Sequence, residues 1–181
     1  MVYCFLAQGF EEIEALTPVD ILRRAGVHVI TVGIGKKIVI GAHGISIEAD
    51  IEDYEIKPDS EPEMIILPGG MPGTLNLETS ETVRKARSYC IRNNKYIAAI
   101  CAAPIILGHL SILTGKTATC YTGFENDLIG ANVVKDAVCV DGKIITARGA
   151  GVSMSFALKL AELLTSKDKS RALSEGMLCE Q

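Results

Sequence analysis

Apolar residues occur along the chain in short runs that alternate with segments in which they recur at helical spacing. The runs are too short for helices and end in glycine, proline or polar turns, so we interpret them as buried strands. They cover residues 2–7, 27–32, 64–67, 96–100, 117–121, 137–140 and 143–146. Helices are predicted over 9–26, 80–92, 103–110, 153–164 and 168–178, and a short hairpin over 38–40 and 45–47.

This alternation predicts an α/β fold of three layers with a mostly parallel sheet. One domain is expected over residues 1–181, because nothing in the chain resembles a linker. Ligands of such folds bind at the carboxyl ends of the strands. Four segments are therefore expected to meet there, namely residues 8–14, 68–73, 101–104 and 120–123.

Cys101 directly follows the strand over 96–100. Pro104 is tolerated only in the first turn of a helix, so the next helix is expected to begin at Ala102 or Ala103. A cysteine at this sharp turn faces unpaired N–H groups and the positive end of the helix dipole. That placement predicts a lowered thiol pKa and a reactive thiolate. The alternative is a core cysteine with no chemical role.

Three acids, Glu11, Glu12 and Glu14, occupy the start of the first predicted helix. For Glu11 and Glu12 we expect the ordinary stabilisation of acids at a helix N-terminus. Glu14 is different, because apolar residues flank it close to the end of the first strand. The glycine- and proline-rich segment 68–73 leaves backbone N–H groups that can bind an anion or oxyanion, with a plain turn as the alternative.

Composition narrows the functional classes. A net charge of −4 without a basic stripe argues against nucleic acid as a partner. The longest run without polar side chains, 97–107, is shorter than the ~20 residues that cross a bilayer, so no membrane partner is expected. Six cysteines without a Cys-x-x-Cys pair argue against a disulfide framework and a metal site, and the cytoplasm is the expected location.

Four motifs, in order, resemble the ThiJ/PfpI superfamily, and most closely its branch that contains the parkinsonism-associated protein deglycase. They are Gly9-x-Glu11-Glu12-x-Glu14, Leu67-Pro68-Gly69-Gly70, Ala98-Ala99-Ile100-Cys101-Ala102-Ala103-Pro104 and Thr146-Ala147-Arg148-Gly149-Ala150-Gly151. The resemblance implies a flavodoxin-like sandwich, a homodimer and a nucleophile elbow. It also implies roles for Cys101 as nucleophile, for Glu14 as its carboxyl partner, and for the Gly70 and Ala102 N–H groups as the oxyanion site. Candidates for the substrate pocket are Gly69, Tyr121, Arg148 and His43.

Two positions depart from relatives. Protease-like members carry histidine directly after the cysteine, where this chain has Ala102, and some deglycase-like relatives carry a histidine near the position of Tyr121. A mechanism with one thiol and one acid is therefore favoured, in which Cys101 and Glu14 convert a small α-oxoaldehyde such as methylglyoxal to a hydroxy acid without a cofactor. The alternatives are a redox-responsive protein whose Cys101 becomes a sulfinate, a chaperone-like dimer, and a peptidase.

Overall fold

Strands and helices alternate along residues 1–179, the part of the chain that the computed structural model describes. The strands are β1 Val2–Leu6, β2 Val29–Gly33, β3 Ile38–Ile40, β4 Ser46–Glu48, β5 Ile51–Glu52, β6 Met64–Leu67, β7 Tyr96–Ile100, β8 Thr117–Ala118, β9 Asn132–Val133, β10 Val138–Asp141 and β11 Ile144–Ala147. The helices are α1 Glu12–Arg24, α2 Gly73–Thr79, α3 Glu81–Arg92, α4 Pro104–Gly108, α5 Ser153–Leu164 and α6 Lys167–Gly176. None of these helices is both long and apolar enough to cross a bilayer.

Seven strands form the main sheet in the order β10-β11-β7-β6-β1-β2-β5. Every neighbouring pair in it is parallel except β10 and β11, which are antiparallel. The predicted α/β sandwich with a mostly parallel sheet is therefore confirmed. The hairpin β3–β4 is also confirmed, as a separate two-stranded sheet.

Successive side chains of β1 point to opposite faces of the sheet, so they pack in two different apolar clusters. Cys4 and Leu6 pack in the apolar cluster that holds the buried residues of α1 and α5. Tyr3 and Phe5 pack in the cluster that holds the buried residues of α3 and α4. Both faces of the sheet are covered, which explains why its central strands are continuous apolar runs.

The segment 117–121 is not the predicted strand of the main sheet. Only Thr117 and Ala118 are extended, and they pair with β9 in a two-stranded sheet of their own. At the next residue the Thr119 N–H donates to the hydroxyl of Thr146 at 3.0 Å, so a side chain replaces the backbone partner that a strand needs. The segment still reaches the end of β7, where the Tyr121 N–H donates to the Cys101 carbonyl at 2.8 Å.

Two helices begin later than predicted. The first begins at Glu12, because Gly9 adopts a φ of +82° in a turn whose N–H donates to Ile40 at 2.8 Å. The helix after Cys101 begins at Pro104, beyond a tight turn, and ends at Gly108. A Cβ on Gly108 would lie 2.0 Å from the carbonyl oxygen of Asp127, which shows how closely the backbone of the 125–128 segment approaches this helix end.

Candidate functional site

Cys101 occupies a sharp turn at the carboxyl end of β7. Its backbone has a φ of +65°, a left-handed conformation that is uncommon for a residue with a side chain. Two hydrogen bonds hold that conformation: the Cys101 N–H donates to Ala147 at 2.9 Å, and its carbonyl accepts from Tyr121 at 2.8 Å. The turn places the side chain at partial exposure, while the four residues before it, 97–100, are buried.

Glu14 lies in the first turn of α1 and is completely buried. Its Oε2 accepts the Gly69 N–H at 2.9 Å, and its carboxyl group is hydrogen-bonded to the Cys101 side chain. Its Oε1 makes no hydrogen bond within residues 1–179. Glu11 caps the same helix by accepting the Glu14 N–H at 2.7 Å, which fixes the start of α1 beside the sulfur.

The glycine loop after β6 fits closely between the elbow and α1. A Cβ on Gly69 would lie 2.6 Å from both the Cys101 Cβ and the Glu14 Oε2. Gly70 has a φ of +87°, and a Cβ there would lie 2.5 Å from the Glu11 backbone nitrogen. Gly69 therefore requires glycine for space, and Gly70 requires it for both space and conformation.

Two backbone N–H groups, those of Gly70 and Ala102, donate to the Cys101 sulfur. The segments that carry them come from the ends of β6 and β7, which pair in parallel register from Met64–Tyr96 to Leu67–Ala99. An oxygen that becomes negative beside the sulfur would lie within reach of the same donors. The geometry thus brings together the two groups that the resemblance implied as an oxyanion site.

The electrostatics of the pair differ from the sequence prediction. Burial raises the pKa of Glu14 to about 7, with the hydrogen bond to Cys101 acting in the opposite direction. Burial and the charge of Glu14 raise the pKa of Cys101 to about 12, against the lowering effect of the Ala102 and Gly70 N–H groups. The predicted low thiol pKa is therefore wrong, because burial and the adjacent carboxyl group outweigh the N–H groups at the turn. At neutral pH the thiol therefore keeps its proton, while Glu14 is present in both its acid and its carboxylate form.

Tyr121 and Arg148 lie at the rim of this site. The exposed fraction of Tyr121 is 53%, and its Cδ2 lies 3.2 Å from where a Cβ on Gly149 would be. That same Cβ would lie 3.8 Å from the Glu14 Oε1. Arg148 donates to the Thr122 hydroxyl at 3.1 Å, so it ties the loop of Tyr121 to the end of β11. Tyr121 therefore borders the pair, whereas the Arg148 side chain contacts the neighbouring loop at Thr122.

Glu12 has a role that the sequence did not indicate. It is buried, and its Oε1 accepts the His43 N–H at 2.8 Å and the Ile45 N–H at 3.4 Å. Its Oε2 lies 2.7 Å from the His43 Nδ1. The side chain thus fastens the β3–β4 hairpin to α1, and the expectation of an ordinary helix-end acid is wrong. Gly41 leaves the room that this contact needs, because a Cβ there would lie 2.3 Å from the Glu12 carboxyl carbon.

His43 itself lies outside the Cys101–Glu14 pair. Its side chain is 68% exposed, and its Nδ1 also lies 3.9 Å from the Glu11 Oε1. One ligand atom from each of Glu11, Glu12 and His43 falls within 4.8 Å of the others. Hydrogen bonds within the protein already account for this cluster, so it serves to hold the hairpin in place.

Comparisons with known proteins agree with this geometry. Residues 1–163 match the DJ-1/PfpI family. Protein DJ-1 homolog B of Arabidopsis thaliana is 37% identical over 93% of this chain, which spans only 39% of that relative's length. Deglycase PfpI of Pyrococcus furiosus is 31% identical over 87% of this chain and 95% of its own. The crystal structure of Drosophila melanogaster DJ-1beta superposes with a TM-score of 0.94 at 33% identity, covering 99% of this chain and 98% of that one. The chain belongs to the DJ-1/PfpI family.

Proposed function

We propose that the protein converts small α-oxoaldehydes, such as methylglyoxal and glyoxal, or their adducts, to hydroxy acids. In this proposal Cys101 is the nucleophile and Glu14 carries the proton. The observation that carries the proposal is the buried carboxyl group hydrogen-bonded to a partly exposed thiol that also receives two backbone N–H groups. The relative named Deglycase PfpI adds family-level support.

In the first step the Glu14 carboxylate takes the thiol proton as the Cys101 sulfur forms a bond with the aldehyde carbon. The electron pair of the carbonyl double bond moves to oxygen, where the Gly70 and Ala102 N–H groups stabilise the charge until Glu14 donates its proton. The Glu14 carboxylate then removes the hydrogen of that carbon and returns it, through an enediol, to the neighbouring carbon. The first carbon is thereby oxidised to a thioester and the second reduced to an alcohol. Water hydrolyses the thioester and releases the hydroxy acid and the thiol.

The test measures lactate of each handedness formed from methylglyoxal. We expect Cys101→Ser and Glu14→Gln each to lower the rate by at least about 100-fold, since each removes a group that changes bonding in the reaction. Cys179→Ser is the matched control, because Cys179 is also a partly exposed free thiol and lies outside the site. An unchanged rate in the Cys101 or Glu14 variant would reject the assignment.

A second candidate function is the sensing of peroxide. The same N–H groups that would stabilise an oxyanion would also stabilise a sulfinate on Cys101, with protonated Glu14 as a third donor. The experiment is intact mass after mild peroxide treatment, with wild type compared against Cys101→Ser. A selective gain of two oxygen atoms at Cys101 supports sensing, and equal oxidation of the two proteins argues against it.

We also propose that the protein acts as a homodimer. Three exposed apolar side chains, Ile13 on α1 and Ile40 and Ile45 on the hairpin, surround the Glu12 contact and offer a surface for a second copy. The expected mass in light scattering is that of a dimer for wild type and of a monomer for Ile13→Asp. The free cysteines of residues 1–179 fit a reducing location such as the cytoplasm.

A further inference from the structure

A cavity of about 500 Å³ lies on the α3 side of the sheet. Its walls are α3, the segment 53–62 and the first half of β1. No residue of the Cys101 site lines it, and Tyr3, its contribution from β1, lies near the opposite end of the strand from that site. The cavity is therefore separate from the proposed active site, and its volume falls in the range of small-molecule pockets.

Tyr3 gives the cavity a polar floor. The residue is only 3% exposed, and its ring lies 6.1 Å from that of Phe5 between centroids. Its side chain lines the cavity, and its hydroxyl oxygen is not among the side-chain atoms of residues 1–179 that are sealed from solvent without a partner. The hydroxyl is therefore open to the cavity, where it can bond to water or to a polar atom of a ligand.

Cations face the same space. Lys57, Lys85 and Arg92 line the cavity, and within residues 1–179 neither Lys57 nor Arg92 forms an ion pair, whereas Lys85 lies 3.2 Å from Glu81. The acid in the lining is Asp53, whose two oxygens accept from the Thr82 hydroxyl at 3.0 Å and the Gly35 N–H at 3.2 Å. The cavity thus offers two cations, those of Lys57 and Arg92, that have no ion-pair partner within residues 1–179.

The remaining walls are flat and apolar. Tyr54 and Tyr89 contribute aromatic rings, and Pro58, Pro62 and Ala86 contribute apolar surface. Tyrosine rings and proline faces pack well against a planar group, while lysine and arginine hold a carboxylate or phosphate through charge-assisted hydrogen bonds. The combination suits a ligand with one flat ring and one anionic group.

We propose that this cavity binds a planar organic anion, an aromatic ring that carries a carboxylate or a phosphate. The ring lies between the tyrosines, the anion meets Lys57 and Arg92, and a polar atom of the ring or its substituent bonds to the Tyr3 hydroxyl. This proposal does not rest on the activity assigned to Cys101.

The experiment titrates the full chain with phenyl phosphate and with benzoate, followed by amide chemical shifts. Two matched probes serve as controls: inorganic phosphate, which lacks the ring, and phenol, which lacks the anionic group. We expect saturable shifts around the cavity for at least one ring anion, with phenol and inorganic phosphate at least about ten-fold weaker. Tighter binding of phenyl phosphate identifies a phosphorylated source, and tighter binding of benzoate a carboxylate.

Variants then locate the contacts. Arg92→Gln and Lys57→Gln are each expected to raise Kd about five-fold or more, and Tyr3→Phe, which removes only the hydroxyl, about three-fold. Arg84→Gln changes a cation of the same helix outside the cavity and should leave Kd unchanged, as should Cys101→Ser. The proposal fails if no ring anion saturates below ~10 mM, or if Kd is the same in wild type and all three cavity variants.

Discussion

Glu12 and Glu14 are two residues apart on α1, and both are buried, yet their surroundings have opposite effects. Burial pushes the pKa of Glu12 upward, but the hydrogen bonds from His43 and Ile45 outweigh it and hold that pKa below its ordinary value. For Glu14 burial prevails and raises the pKa to about 7. The difference lies in the donors: both oxygens of Glu12 have partners, whereas Glu14 has one oxygen without any in residues 1–179.

The comparison separates a carboxyl group that holds the fold together from one that is suited to chemistry. A fully hydrogen-bonded carboxylate stays ionised and contributes to stability. A buried carboxyl group with too few donors holds its proton near neutral pH, where it can both give and accept one. The chain thus places an attachment point and a proton carrier within a single helical turn.

Gly69→Ala should have the largest effect, because it removes the close fit that supports Glu14. The new methyl group would overlap both the Cys101 Cβ and the Glu14 Oε2, each at 2.6 Å. Misplacement on this scale is expected to lower methylglyoxal turnover by about 100-fold. Gly151→Ala is the matched control, since nothing lies within 4 Å of a Cβ there. If turnover in Gly69→Ala stays within two-fold of wild type, the prediction is contradicted, because Cys101 and Glu14 then tolerate displacement.

Glu14→Gln should increase stability while it removes activity. An unfolded glutamate titrates near 4.5 and the folded Glu14 near 7, so the folded state holds the proton more tightly and stability falls as pH rises from about 4.5 to 7. Above that window the lost stability is on the order of 3 kcal/mol. Urea unfolding at pH 8 should therefore show the variant more stable than wild type, and at pH 4 the two should converge. Equal stability at both pH values would contradict the raised pKa.

Glu12→Gln should have a smaller effect of the opposite sign. The amide cannot accept at both ends, so at least one hydrogen bond to the hairpin is lost, at a cost of about 1–3 kcal/mol at neutral pH. Because the pKa of Glu12 is lowered, its stabilisation is present above about 4.5 and is lost as pH falls through its folded pKa. Comparing the free energy of unfolding of the variant with that of wild type at pH 7 and at pH 3 tests this. A destabilisation of the same size at both pH values would contradict the account.

His43→Ala should have the smallest effect. The Glu12 Oε1 still accepts the backbone N–H of residue 43 in this variant, and only the exposed imidazole contact is lost. The hydrogen bond to Glu12 raises the pKa of His43, so its contribution is present below 6.5 and disappears as pH rises through the folded pKa. Thermal unfolding should show a larger difference from wild type at pH 6 than at pH 9. A difference that grows with pH would contradict this account.

Local patterns in the sequence predicted much of the architecture. The short apolar runs located the central strands, and Pro104 placed Cys101 at a strand-to-helix turn. Helix α2 and strand β5 were not predicted, because short elements carry little periodic signal. The strand over 117–121 was wrong, because the Thr146 hydroxyl that interrupts it is 27 residues away in the chain.

The candidate site was predictable in its members but not in its electrostatics. Glu14 and Gly69 are 55 residues apart, and the burial created when they meet decides the pKa of the acid. The structural role of Glu12 likewise depends on His43, 31 residues further along. Sequence patterns report on neighbours along the chain, whereas desolvation and charge coupling depend on the assembled fold.

The left-handed backbone at Cys101 also limits how this position can change over evolutionary time. Glycine is the residue that adopts a φ of +65° without steric cost, so selection for stability alone would replace the cysteine with glycine. A chain that keeps cysteine here is less stable than one with glycine at the same position. Retention of cysteine at residue 101 across descendants would therefore mark lineages in which the thiol is still in use.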